Sequence, residues 1–142
     1  LEFVGVDKRH EADIEGLARI PFKQQMEIED VPSFNVIANS PLVLRESLLD
    51  EVYSMGERFV EASKKFVSPG MNGPFCIEGV YDADAKFNAF EFSARIVAGT
   101  NMYMEGSPYS TLLYNVPMSM GRRIALEIKN AESSNQIDKI VT

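Results

Sequence analysis

Apolar positions in the middle of the chain recur with helical spacing. Leu48, Leu49, Val52, Met55, Phe59, Ala62 and Phe66 follow the i, i+3/i+4 rule and predict a helix over about 47–66 with one buried face. Ser47 stands where an N-cap belongs, and Asp50 and Glu51 suit the positive end of the helix dipole. A second stripe, Met120, Ile124, Ile128 and Ala131, predicts a helix over about 118–131. Ser107 followed by Pro108 marks the start of a short helix between the two. The Pro/Gly-rich stretch 68–74 ends the long helix. Elsewhere the pattern reads as extended: residues 1–7, roughly 14–20 and 34–38, then a pair of strands at 75–81 and 87–95 joined by the turn-like 82–86. The order is β-rich, then helix, then hairpin, then helix, which predicts an α+β layer structure. Residues 132–136 read as a frayed end, so the chain divides into a main portion, 1–131, and a C-terminal tail, 132–142.

Composition narrows the class. At 142 residues the chain has the length of one ordinary domain, with 45% hydrophobic and 25% charged residues. No apolar run approaches the roughly 20 residues a membrane helix needs, and no basic segment followed by an apolar one reads as a secretory signal. The formal charge of −7 disfavours a nucleic-acid partner. The single cysteine, Cys76, cannot form an internal disulfide and fits a cytoplasmic setting. The chain opens without Met on the alternating segment 1–6, which reads as part of a longer protein.

The hairpin carries the candidate chemistry. A four-residue loop, 83–86, pairs Asp82 with Phe87 and sets Glu78 directly opposite Glu91, their Cβ atoms roughly 5 Å apart. Like charges so placed weaken a sheet unless a divalent cation lies between them, and Mg²⁺ takes one or two carboxylates plus phosphate oxygens. Alternation past Glu91 puts Ser93 and Arg95 on the same face, where a guanidinium can grip a transferring phosphoryl group. Two other readings stay open on spacing alone. Either glutamate can be a solvated outer-face residue, since a five-residue loop places the two on opposite faces. A pair about 5 Å apart also matches a retaining glycosidase.

Longer stretches add a resemblance. The segments 73–78 (GPFCIE), 90–101 (FEFSARIVAGTN), 106–110 (GSPYS) and 117–125 (PMSMGRRIA), with 5–11 and 44–49 upstream, closely resemble the archaeal formate-dependent 5-formaminoimidazole-4-carboxamide ribonucleotide synthetases, members of the ATP-grasp superfamily. The similarity covers nearly the whole chain apart from its last ten or so residues.

The resemblance implies the C-terminal portion of an ATP-grasp ligase. Such an enzyme phosphorylates formate with ATP and Mg²⁺ (or Mn²⁺), and the amine of 5-aminoimidazole-4-carboxamide ribonucleotide attacks the resulting acyl phosphate, in purine biosynthesis. On that basis Glu78 and Glu91 are the metal ligands, Glu11 contacts ATP and Asn39 contacts the ribonucleotide. Lys8 and His10 stand where relatives often have Arg and Tyr. The remaining partners implied are an N-terminal part bearing the substrate domain and ATP-binding lysines, and sister copies in a homo-oligomer. A fragment without that N-terminal part is expected to be inactive. The competing reading is a non-catalytic, nucleotide-binding homologue of the same fold.

The other candidates have plain alternatives. Arg95 is the expected catalytic cation, and Asn101 and Ser107, in the loop after the metal strand, are expected substrate contacts, although such loops also exist simply to turn the chain. His10 reads as a solvated strand-end residue and Cys76 as an inert core thiol. Arg122 and Arg123 open the last helix at its unfavourable end for cations, which hints at an anion or subunit contact or at a surface pair.

Overall fold

The computed structural model describes residues 1–140, Asn101 by its backbone alone. Four strands and five helices alternate with short 3₁₀ turns: β1 (Val6–Glu11), α1 (Ile14–Leu17), α2 (Phe22–Gln25), β2 (Val36–Leu42), α3 (Leu49–Phe66), β3 (Cys76–Tyr81), β4 (Phe87–Ser93), α4 (Pro108–Tyr114) and α5 (Met120–Ser133). The strands form two separate antiparallel pairs, β1 with β2 and β3 with β4. The class is α+β, the arrangement the resemblance implied.

The long helix stands where its periodicity put it. A 3₁₀ turn, Glu46–Leu48, leads into α3, so Ser47 lies within that turn and no side chain caps the helix. α3 acts as a spine. Phe59 packs on Phe75 (4.7 Å between ring centroids) and on Phe92 (5.1 Å), fastening the hairpin to one stretch of the helix. Phe3 lies between Tyr53 (6.2 Å) and Tyr109 (4.6 Å), fastening the N-terminal segment and α4 to another. Aromatic pairs at these separations add to the apolar area they bury.

Three local expectations change. Residues 1–5 do not pair as a strand; β1 begins at Val6, and side chains hold the segment before it. Arg123 grips Glu2 through two bonds (Nε to Oε2 2.8 Å, Nη2 to Oε1 2.9 Å), and Tyr114 Oη donates a third (2.8 Å). Residues 14–25, expected to include a strand, form two single helical turns. Ile14, Leu17 and Ile20 are spaced by three, which suits a helix, and Gln25 Nε2 bonds the carbonyls of both Leu17 (3.0 Å) and Ile20 (2.7 Å). The last helix passes the expected boundary at 131 and ends at Ser133 in a Schellman closure. Asn135 adopts the left-handed conformation (φ 55°), Gln136 N–H reaches Ala131 O (2.7 Å), and Asn135 N–H reaches Glu132 O (3.1 Å).

Among the described residues only Met118 and Ala131 are fully buried apolar side chains, each 6% exposed. Val31 is 91% exposed and Leu112 78%, and Phe22, Phe66 and Met104 are similarly open. A protein surface scatters single apolar residues freely, but this number of exposed large ones is high for one domain.

Candidate metal and nucleotide site

The hairpin reaches its register by an unexpected route. Tyr81 pairs with Phe87, so the loop has five residues, Asp82–Lys86, rather than the four that spacing suggested. That loop is tied by Asp82, whose Oδ1 accepts from the Asp84 and Lys86 backbones (3.0 and 2.9 Å), while Ala85 takes the left-handed turn position (φ 59°). These bonds from the Lys86 backbone and Asn88 hold the Asp82 carboxyl below its usual range. Left alone, the five-residue loop sets Glu78 and Glu91 on opposite faces. The ladder then shifts by one residue between Glu78 and Gly79: Gly79 pairs with Ala89, Phe90 is extra, and Glu78 pairs with Glu91. Gly79 makes room for this. A Cβ there would meet the Asn88 carbonyl and the Phe87 ring at 2.5 Å.

The β1–β2 pair presents a second set of polar groups. Arg9 is opposite Asn39, and Asp7, Arg9 and Glu11 alternate along one face of β1. Arg9 Nε bonds Glu11 Oε1 (2.9 Å), and its Nη1 donates to Glu78 Oε2 on the other sheet. Glu11 and Glu78 are about one-fifth exposed (20% and 19%), whereas Arg9 is 42% exposed. The two carboxylates are thus less exposed than the arginine that links them. Asn39 Nδ2 donates to Asp7 Oδ2. Because an ionised carboxylate only accepts, the Asn39 amide is oriented, and its Oδ1 stays available to accept from a ligand N–H or O–H. Asp7 in turn packs on Gly99, where any Cβ would fall inside contact distance of the carboxylate.

Cys76, opposite Ser93, lies beside this cluster. Burial pushes its thiol up to about 11, Glu78 and Asp7 push in the same direction, and Arg9 and Arg95 pull the other way. A thiol pushed up in this way is disfavoured as a thiolate, and Cys76 is part-buried beside charged groups and not in the apolar core that was expected.

The other expected residues divide. Glu91 is exposed and borders an open concavity of about 310 Å³ with Phe59, Ile77, Phe90 and Phe92. Arg95 lies past the end of β4 at Ser93, so strand alternation no longer fixes its direction; its guanidinium donates to the Ile96 carbonyl (2.7 Å). Ser107 is 1% exposed and caps α4, its Oγ accepting from Ser110 N–H (3.1 Å), with Pro108 at the first helical position. The hydroxyl expected to meet substrate is thus already committed inside the fold. The side chain of Asn101 lies outside the described residues. His10 is partly exposed (26%) at the end of β1; its Nε2 lies 2.9 Å from Ser40 Oγ and its Nδ1 3.2 Å from Glu15 Oε1. Arg123 serves the intrachain link to Glu2 and pairs also with Glu127 (2.6 Å). Arg9 and Asp7 are the members that motif reading missed. Their charge alternation with Glu11 was visible, but only the packing of β1 against the hairpin gives it meaning.

Among the described residues no three His, Cys, Asp or Glu side chains gather to hold a metal ion alone. The ladder pairing of Glu78 with Glu91 supplies two carboxylates, a donor set that suits a hard divalent cation completing its shell with phosphate oxygens and water, the usual habit of Mg²⁺.

The chain is 72% identical over all 142 residues to a 5-formaminoimidazole-4-carboxamide-1-(beta)-D-ribofuranosyl 5'-monophosphate synthetase of Nitrosopumilus maritimus, and 48% identical to the synthetase of the same name from Pyrococcus horikoshii. It spans 42% of the length of each of these curated relatives. The crystal structure of an IMP biosynthesis protein PurP from Thermococcus kodakaraensis superposes with a TM-score of 0.77 at 35% identity, over 99% of this chain and 44% of that one. A family model described as "Domain of unknown function (DUF1297)" matches residues 1–142, and the chain belongs to that family.

Proposed function

We propose that this chain supplies the metal- and nucleotide-facing part of an ATP-dependent carbon–nitrogen ligase of the ATP-grasp type, which formylates 5-aminoimidazole-4-carboxamide ribonucleotide with formate. The observation that carries the reading is the pairing of Glu78 with Glu91 across a hairpin whose loop alone would have separated them. Like charges face to face weaken a sheet, and a bulge that creates such a pair makes physical sense when a cation sits between them. The synthetases to which the chain is similar supply the substrate names.

In this reading Glu78 and Glu91 hold Mg²⁺ or Mn²⁺ against the nucleotide phosphates. When bound, the metal neutralises charge that develops on the transferring phosphoryl group. Formate oxygen attacks the γ-phosphorus of ATP, ADP leaves, and formyl phosphate forms. The substrate amine then attacks the formyl carbon, phosphate leaves with the C–O electron pair, and the nitrogen gives up one proton to the departing phosphate or to water. This chain's residues mainly position the reactants. In this reading Glu11 contacts ATP, Asn39 accepts through Oδ1 from a donor on the ribonucleotide, and Arg95 serves the phosphoryl group; Asn101 keeps the role of substrate contact that the resemblance suggests. The exposed apolar faces carrying Val31, Met104 and Leu112 are covered by the rest of the longer protein or by sister copies in a cytoplasmic homo-oligomer.

The test is formate- and amine-dependent ADP release by the full-length protein. Glu78→Gln or Glu91→Gln is expected to lower kcat by at least a hundredfold with the fold intact. Nucleotide binding without turnover in the unaltered protein would instead identify a non-catalytic homologue.

A further inference from the structure

Arg9 belongs to β1, in one sheet, and reaches Glu78 on β3, in the other. It also holds Glu11 through Nε at 2.9 Å. The carboxylates on this junction outnumber its cations. Glu11 and Glu78 both bond the Arg9 guanidinium, and Glu91 lies opposite Glu78 in the ladder. Lys8 is directed instead to Glu15, at 3.6 Å. Arg95 bonds a backbone carbonyl.

We infer that Arg9 is a cationic placeholder. It occupies Glu78 until a metal arrives together with nucleotide phosphates, and so keeps a bare divalent cation out of the site. This inference rests on the metal reading of Glu78 and Glu91 given above. Arg9 competes with the metal because both need the same lone pairs on Glu78. The exposures favour an exchange. Glu78 is largely buried, so leaving it without any cation is costly, whereas Arg9 is open enough to swing away while remaining solvated. A guanidinium released there is suited to accept a phosphate, whose planar face of oxygens it binds with two parallel bonds. Arg9 is therefore a positioning residue, acting through Glu78 and Glu11.

The measurement is the affinity for metal alone, and its deciding variant is Arg9→Lys, because loss of any nearby positive charge favours a cation whatever Arg9 does. Mn²⁺ is titrated without nucleotide into the full-length protein at fixed ionic strength, and bound metal is read by electron paramagnetic resonance. Arg9→Gln is expected to bind Mn²⁺ roughly tenfold more tightly than the unaltered protein, the size of a nearby unit charge partly screened by solvent. Arg9→Lys keeps the charge but lacks the planar fork whose separate nitrogens bond Glu11 and Glu78, and is expected to show a smaller gain in the same direction. It decides the sign even if Arg9→Gln does not fold. The gain is expected to vanish in Arg9→Gln/Glu78→Gln. Equal or weaker Mn²⁺ binding in Arg9→Lys overturns the placeholder while leaving the metal site standing, provided Glu78→Gln still weakens binding. A gain that survives in the double variant overturns it as well. If neither Glu78→Gln nor Glu91→Gln changes metal binding with ATP present, the metal reading itself falls and the placeholder falls with it.

Discussion

Glu78 stands directly opposite Glu91 although the loop between their strands has five residues, a length that by itself places them on opposite faces. The extra residue in β4, Phe90, reverses the parity. The two residues thus owe their pairing in the ladder to two irregularities that compensate each other, a long turn and a bulge.

The bulge depends on Gly79. A methyl group at this position would lie 2.5 Å from both the Asn88 carbonyl and the Phe87 ring, and the first of these is backbone with little freedom to move. Gly79→Ala is expected to destabilise the fold by roughly 1–3 kcal/mol. It is also expected to weaken metal binding by more than a stabilised, still folded control of equal melting temperature does. Denaturant unfolding and metal titration on the same samples check both.

Asn39 and Glu11 flank Arg9 on different strands but have different partners. In the full-length protein Asn39→Ala is expected to raise the KM for the ribonucleotide severalfold while leaving that for ATP nearly unchanged. Glu11→Ala is expected to do the reverse. Steady-state kinetics with each substrate varied in turn decide this. Equal effects on both would assign the residues to folding or closure instead.

Much of this was legible in the residues, and the failures have physical causes. The helix over 49–66 follows from an unbroken apolar stripe, and the start of α4 from Ser107-Pro108, because both signals are local. Residues 14–20 were misread because a short apolar run carries no decisive period; Gln25, several residues downstream, closes the turns. The pairing of Glu78 with Glu91 was reached by assuming a four-residue loop, and the structure reaches it by a bulge that no turn signal announces. The Arg9–Glu78 contact joins positions 69 apart, and no periodicity reports a pairing between separate sheets.

The Glu2–Arg123 link gives a prediction in pH. Hydrogen bonds from Arg123 chiefly, and from Tyr114, hold the Glu2 carboxyl below its ordinary value of 4.5. A carboxyl lowered on folding contributes stability that is complete above its unfolded value and is lost as pH falls through the lower folded one. Acidification below about pH 4.5 is therefore expected to destabilise the unaltered protein more steeply than Glu2→Gln. At neutral pH Arg123→Ala is expected to lower stability by roughly 1–3 kcal/mol, because it removes charged hydrogen bonds from a half-buried carboxylate. Thermal melts across pH 3–7 (about one unit apart) read both effects.

The central claim is that Glu78 and Glu91 share one cation. Its most direct test is anomalous diffraction from crystals of the full-length protein grown with Mn²⁺ and a non-hydrolysable ATP analogue. The account predicts an anomalous peak between the two side chains, with a carboxylate oxygen from each roughly 2.0–2.3 Å away and phosphate oxygens completing the shell. A Mn²⁺–nucleotide complex bound with the metal held by other residues, or with the Glu78 and Glu91 side chains on opposite faces of the hairpin, would contradict it.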